Sequence, residues 1–241
     1  MNKYYYDFHI HSCLSPCADD DNTPNNLAGM GTLNGLNIMA LTDHNTCKNC
    51  PAFFKAAKSQ GIIPIAGMEL TTAEDIHMVF LFETLDSAME FDKFVETKRF
   101  PIKNKADIFG NQLILDEKDN IIGEEENLLI NSTLITVDEC VELANKYNAI
   151  CYPAHIDRES NGIIAILGAI PENSGFKCAE FYDSQKISEY SSRYPISDFK
   201  ILVSSDAHHL WDLKEGGDYL EIDDEPYSSE LVRKRLFEML R

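Results

Sequence analysis

Positive charge is scarce in this chain. Its 241 residues carry 21 Lys and Arg against 40 Asp and Glu, a formal net charge of −19. Non-specific affinity for a polyanion comes mostly from Lys and Arg neutralising phosphates, so no long nucleic acid is expected as a partner. A nucleotide or short oligonucleotide held through bound cations stays open. Long apolar runs are also missing: no stretch of about 18 apolar residues occurs, so no membrane span is expected. The segment Met1-Asn2-Lys3-Tyr4 lacks the apolar core and small-residue cleavage site of a signal peptide, and a cytoplasmic protein is expected. The cysteine count, seven, is odd, and in a reducing compartment structural disulfides are not expected. No internal repeat or low-complexity linker appears. The hydrophobic content of 44% is enough for one substantial core, so residues 1–241 read as a single domain.

What is present alternates between strand and helix. Tyr4 to Phe8 reads as a strand. Thr23-Pro24 reads as an N-cap with proline at the first helical position, opening a helix to about Leu33. Strands follow at Ile38 to Leu41, Ile62 to Ala66 and His77 to Phe82, with helices from Pro51 to about Gly61 and from Asp86 to Lys98. The rhythm then breaks. Gln112 to Leu115 and Ile121 to Ile122, joined through Lys118-Asp119-Asn120, predict a β-hairpin, and Glu124-Glu125-Glu126 reads as a solvated acidic stretch. Residues 99–134 are therefore expected to form an insertion or lid. A capping-box pattern at Thr136 to Glu139 restarts the alternation, with strands at Ala149 to Tyr152, Cys178 to Phe181 and Ile201 to Val203, and a last helix from about Ser228.

Six of the seven histidines stand at the margins of these apolar runs, with carboxylates beside them: His9 and His11, His44, His77, His155 and His208, accompanied by Glu69 and Asp206. Residues i and i+2 of a strand face the same side, so His9 and His11 could reach one metal, and Asp206-Ala207-His208 repeats that spacing. Imidazole with carboxylate suits divalent Zn, Mn or Fe, ahead of Mg. Ligands from at least six segments favour parallel strands closed, or nearly closed, into a barrel, because an open sheet gathers its site at one switch point. Asp43 is a candidate for orienting an imidazole through its other nitrogen. Arg158 has the fork geometry for a phosphate, with a surface ion pair as the alternative. His209 and Trp211 read as packing residues near the site mouth.

The ordered set His-x-His, Thr-Asp-His, Gly-x-Glu, an isolated strand His, Pro-Ala-His and Asp-Ala-His, spanning about residues 5 to 210, resembles the PHP (polymerase and histidinol phosphatase) family. The resemblance implies an α/β fold, a distorted (β/α)7 barrel, here with a β-hairpin insertion. It implies a centre of two or three divalent metal ions at the strand C-termini and a metal-dependent phosphoesterase. His9, His11 and Asp206 would hold one metal, with Glu69 bridging to a second completed by His77 and His155, and His44 and His208 would hold a third. The sequence departs from the family at the remaining ligand of the third metal. Cys17 stands six residues after His11, where many histidinol phosphatase relatives have His, and is the first choice, with Asp19 or Asp20 as alternatives. Catalysis would rest on Glu69, Asp206 and His208 around a metal-activated hydroxide, with no Ser or Cys nucleophile. The implied partner is a small phosphorylated substrate: a phosphomonoester, a nucleotide or a short oligonucleotide.

Three readings compete. One is a 5′–3′ exonuclease on short RNA or DNA. A second is a non-catalytic metal-binding regulatory module. A third is a metal-dependent amidohydrolase on a related barrel, against which stands the lack of a candidate for a carboxylated lysine. Separately, Cys13, Cys17, Cys47 and Cys50 have a spacing that permits a zinc or iron–sulfur site or a redox pair. Cys140, Cys151 and Cys178 read as core fillers.

Overall fold

The computed structural model describes residues 1–241. In chain order the strands are β1 (Asn2–Asp7), β2 (Ile38–Leu41), β3 (Ile63–Thr71), β4 (His77–Phe82), β5 (Leu113–Leu115), β6 (Ile121–Glu124), β7 (Ala149–Pro153), β8 (Cys178–Phe181), β9 (Lys200–Val203) and β10 (Asp218–Ile222). The α-helices are α1 (Pro24–Leu33), α2 (Cys50–Ser59), α3 (Leu85–Glu96), α4 (Ala106–Phe109), α5 (Val137–Lys146), α6 (Ile163–Leu167), α7 (Ile187–Arg193) and α8 (Ser229–Leu240). The side chains of Thr23 and Thr84 accept a hydrogen bond from the first turn of α1 and α3, and Thr136 with Glu139 forms the expected capping box of α5. None of the helices is long and apolar enough to cross a membrane.

The main sheet curls in the order β10-β1-β2-β3-β4-β7, and β8 pairs in parallel with β9. Two seams bring that pair round to close a distorted barrel. Ile156 N–H donates to Glu180 O (2.8 Å) just past β7, and His11 N–H donates to Ala207 O (3.0 Å) just past β1. The barrel interior is apolar, with Tyr6, Phe8, Ile38, Ile65, Val79 and Tyr152 in one buried cluster, and Val232, Leu236, Phe237 and Leu240 of α8 join it. The outward strand faces pack with α1, α2, α3 and α5 in a second cluster. Gly67 is required where β2, β3 and β4 approach: a Cβ there would stand 2.9 Å from Phe80 O and 3.1 Å from Leu41 O.

One strand departs from the all-parallel expectation. β1, β2 and β3 run parallel, but β4 is antiparallel to both β3 and β7. The link from Thr72 to Ile76 is too short for a crossover, which needs a dozen or more residues. β4 therefore turns back at once, and its first residue, His77, lies at the barrel end where the parallel strands finish. The strand β10 was not anticipated from the sequence; it pairs antiparallel with β1 at the sheet edge.

The hairpin in the insertion forms as expected from β5 and β6. It is tied to the loops after β1 and β2. Asp119 accepts from Thr23 Oγ1 (2.7 Å) and Asn25 Nδ2 (3.0 Å), and Asn45 Nδ2 donates to Leu129 O (2.7 Å). Gly110, at φ +99°, sits directly on Pro16 O, a contact no side chain permits. The acidic stretch differs from its solvated reading: Glu125 is buried and pairs with Lys48 and Arg99.

Candidate metal centre

At the end of the barrel where the parallel strands finish, the loops bring the expected residues together. His9 and His11 follow β1, His44 follows β2, Glu69 lies near the end of β3, His77 opens β4, His155 follows β7, and Asp206 and His208 follow β9. Glu69 stands at the centre. Its Oε1 is 3.1 Å from His9 Nε2, 2.8 Å from His77 Nδ1 and 3.2 Å from His155 Nε2. Its Oε2 is 3.3 Å from His11 Nε2 and 3.0 Å from His44 Nδ1. Asp206 Oδ1 lies 3.3 Å from His9 Nε2 and 3.2 Å from His11 Nε2. These contacts define three overlapping groups that could hold a cation: His9, His11, Glu69 and Asp206; His44, Glu69 and His77; and His11, His44 and His208.

The hydrogen bonds behind the cluster fix which ring nitrogen faces inward. His9 Nδ1 is 2.7 Å from Glu180 Oε1, and a carboxylate accepts, so Nδ1–H donates and Nε2 presents a lone pair. Ser15 Oγ donates to Asp43 Oδ1 (2.8 Å), so it accepts from His11 Nδ1–H (2.9 Å) and from His44 N–H (3.1 Å). His208 Nδ1–H donates to Asp206 O (2.8 Å). Thus His9, His11 and His208 each commit Nδ1–H to a partner and turn Nε2 toward the cluster. Although the nitrogens and oxygens of the cluster lie close together, His9 Nε2, His11 Nε2, His44 Nδ1, Glu69 Oε2 and Asp206 Oδ1 are buried without an aligned hydrogen bond. Orphaned buried donors and acceptors are costly, and lone pairs on imidazole and carboxylate that converge in this way fit divalent cations.

Electrostatics and backbone geometry agree with a built site. Burial works against charge on His9, but Glu180, Glu69 and Asp206 outweigh it and raise its pKa well above the ordinary value. Burial likewise opposes charge on Glu69, yet His77, His9 and His44 hold its carboxyl well below the usual range. His77 is lowered, chiefly by burial. His155 (φ 27°) and Asp206 (φ 51°) occupy the left-handed region, a strain that persists where surrounding contacts over-determine it. One such contact is His155 N–H to Glu180 Oε1 (3.2 Å).

Arg158, half-buried, is drawn to the cluster. Its Nη1 is 2.6 Å from Asp206 Oδ2 and its guanidinium lies 4.1 Å over the Tyr182 ring. With Ser160, Asn161, His44, His77 and the cluster acids it lines a wholly polar cavity of about 100 Å³. Asp43 reaches the imidazoles at one remove, through Ser15. Cys17 is an exposed residue whose sulfur is turned toward His44 and His208; burial of the sulfur is opposed by both imidazoles, which bring its pKa down to about 5.

Two candidates are not brought in. Asp19 Oδ1 accepts from Asp21 N–H (3.0 Å) within its own turn, and Asp20 Oδ2 accepts from Asn111 Nδ2 (2.7 Å) of the insertion. The loop is pinned by Asp19 N–H to His208 O (2.9 Å), which presents Cys17 to the cluster and leaves these carboxylates outside it. Nor do the four cysteines form a site of their own. Cys47 and Cys50 both point at Gly67 O, Cys13 points at Leu113 O, and Cys17 joins the imidazoles. Glu180 was missed from the sequence. The available signal was a single carboxylate within the apolar strand Cys178–Phe181.

The PHP domain family matches residues 7–122. That stretch, which holds the first four site segments, is similar to a PHP domain. Among curated relatives, the error-prone DNA polymerase of Symbiobacterium thermophilum is 36% identical over 73 residues, covering 30% of this chain and 7% of that one. The PolC-type DNA polymerase III of Thermotoga petrophila is 26% identical over 140 residues, covering 58% and 9%. The chain thus spans under a tenth of the curated relatives it matches. Among solved structures, the lesion-specific endonuclease EndoQ of Pyrococcus furiosus superposes with a TM-score of 0.70 at 18% identity, covering 99% of this chain and 56% of that one. An Endonuclease Q complex with a 27-mer duplex bearing an abasic lesion gives 0.63 at 18%, covering 100% and 57%. A putative metal-dependent phosphoesterase of Bifidobacterium adolescentis gives 0.58 at 17%, covering 97% and 96%. At these identities the likeness is one of fold.

Proposed function

We propose that this chain, a PHP-like domain spanning residues 1–241 with 99–134 as a lid, is a metal-dependent phosphoesterase acting on a small phosphoester. The observation that carries the reading is the gathering of six imidazoles around Glu69 and Asp206 beside one polar cavity, with His9 Nε2, His11 Nε2, His44 Nδ1, Glu69 Oε2 and Asp206 Oδ1 buried and unpartnered. His9, His11 and Asp206 would hold one divalent ion of Zn, Mn or Fe. Glu69 would bridge to a second ion held by His77 and His155, and His44, His208 and Cys17 would hold a third. His44 Nδ1 also lies 3.0 Å from Glu69 Oε2, so His44 is in reach of the second site. Bound there, such ions would clamp a phosphoryl group and supply hydroxide at neutral pH.

The protein's own residues supply orientation and exclusion. Glu69 and Asp206 are buried, so their charge acts at low effective dielectric. Arg158 offers the cationic fork at the cavity, and release of Asp206 Oδ2 would free it for a phosphate oxygen. The purely polar lining and small volume suit a phosphoryl group and leave the rest of the substrate outside.

A second reading, cleavage of a nucleic-acid strand, is favoured by the EndoQ likeness across nearly the whole chain and opposed by the net charge of −19. One experiment addresses both. Chelator-stripped protein, reloaded anaerobically with Mn, Fe or Zn, is assayed on p-nitrophenyl phosphate and on an end-labelled DNA oligonucleotide, with Glu69→Ala alongside. Metal-restored hydrolysis absent from the variant supports the phosphoesterase, and shortening of the oligonucleotide moves the reading to a nuclease. Stoichiometric metal binding without turnover of either would overturn both in favour of a non-catalytic module.

A further inference from the structure

The single tryptophan of the chain, Trp211, stands three residues after His208 and is 74% exposed. Tryptophan is highly buried on average, so the packing role expected for it is not what the structure shows. Its indole stacks on His209, with ring centroids 4.7 Å apart and planes 15° from parallel. One carboxylate oxygen, Asp212 Oδ2, organises this segment. It accepts from His209 Nδ1–H (3.0 Å), His209 N–H (2.9 Å) and His208 N–H (3.3 Å). The same acceptor thus fixes the imidazole under the indole and the backbone of a cluster histidine. Three residues span at most about 10 Å of chain, so the Trp211 Cα lies within that distance of the His208 Cα.

We infer that the Trp211–His209 stack is a binding platform for a nucleobase, so that the phosphoester bound at the cluster belongs to a nucleotide or to the end of a single strand. The inference rests on the phosphoesterase reading and narrows its substrate class. The cavity at the cluster is small and lined only by polar residues, so an apolar or aromatic part of a substrate finds no partner inside it and lies against the surface around the mouth. An indole stacked on an imidazole that hydrogen bonds hold in place offers a base a preorganised partner, and every base has a π-face to stack on it. A sugar or alkyl leaving group gains little from such a face.

The test uses the metal-loaded full chain, whose only indole reports directly on the platform. Fluorescence excited at about 295 nm, where the indole dominates, is followed during the first seconds after mixing with adenosine 5′-monophosphate, ribose 5-phosphate or inorganic phosphate. Quenching by the nucleotide, and not by the other two, is the expected result. In Trp211→Ala the ratio of kcat/KM for adenosine 5′-monophosphate to that for ribose 5-phosphate should fall roughly tenfold, the lower part of the range for base–aromatic stacking, and Trp211→Phe should restore most of it. Equal quenching by ribose 5-phosphate, or an unchanged ratio in Trp211→Ala, would overturn the platform even if both phosphoesters are hydrolysed. Loss of a dimer on gel filtration in Trp211→Ala, without a change in the ratio, would assign the indole to a contact between copies and overturn it too. Nucleotide-specific quenching without turnover would keep the platform and refute the hydrolase.

Discussion

Glu180 touches no expected substrate atom, yet its loss should be felt at two places in the cluster. Its Oε1 accepts from His9 Nδ1–H at 2.7 Å and from His155 N–H at 3.2 Å. The first bond sets the tautomer that turns His9 Nε2 inward, and the second holds the backbone of His155 at its positive φ. Hydrogen bonds to a charged group contribute about 1.5–3 kcal/mol each, and about 1.4 kcal/mol is a factor of ten. Partners behind a ligating histidine typically cost 10–100-fold in metal affinity when removed. Glu180→Gln keeps an acceptor and loses the charge, so about a tenfold weaker metal Kd is expected. Glu180→Leu loses both bonds, and about 100-fold is expected. The assay is competition with a chromogenic chelator, with bound metal counted by mass spectrometry and folding checked by circular dichroism. A folded Glu180→Leu protein that binds metal as tightly as the parent would refute the reasoning.

Three further outcomes follow from the same geometry. Metal at 100 times its Kd should stabilise the fold by about 2.7 kcal/mol, raising Tm by roughly 5–11 °C for a chain of this size, and a chelator should reverse the shift in a thermal melt. Because neighbouring carboxylates raise the pKa values of His9 and His11, and Cys17 with Glu69 raises that of His44, metal binding should displace protons from them, most at pH 6 and less as pH rises through those values; calorimetry in buffers of different ionisation enthalpy would measure the release. Cys17 is the one exposed cysteine and its pKa is brought down to about 5, so iodoacetamide at pH 6 should alkylate it ahead of the six buried cysteines, and prior metal loading should protect it, as read by peptide mass spectrometry.

Most of the barrel was readable because its strands are short apolar runs buried on both faces, and the histidines punctuate those runs. Ile38–Leu41 and Cys178–Phe181 were located to the residue for this reason. Polarity and pairing were harder. Direction leaves no mark on a fully apolar strand, so the reversal of β4 was invisible until the shortness of the Thr72–Ile76 link was weighed. β10, at the sheet edge, buries only one residue, Ile222, and has little hydrophobic signature. At the site, residues whose side chains point inward were legible from type and spacing, whereas Cys17, Asp19 and Asp20 could be separated only by the loop conformation. Ser15 and Glu180 act through hydrogen bonds formed in three dimensions, and Trp211 differs from a packing residue only in which way its ring faces.

The seam between Ile10 and Ala207 has a consequence for biosynthesis. The cluster draws on residues 9 and 11 at one extreme and 206 and 208 at the other, so a ribosome must have translated most of this chain before the constellation can exist. A nascent chain would expose solitary histidines with only weak claims on a metal, and acquisition of the ions would then mark barrel closure. Metal supply would act on the final step of folding, where a cell short of the ion would accumulate barrels with that last seam unsecured.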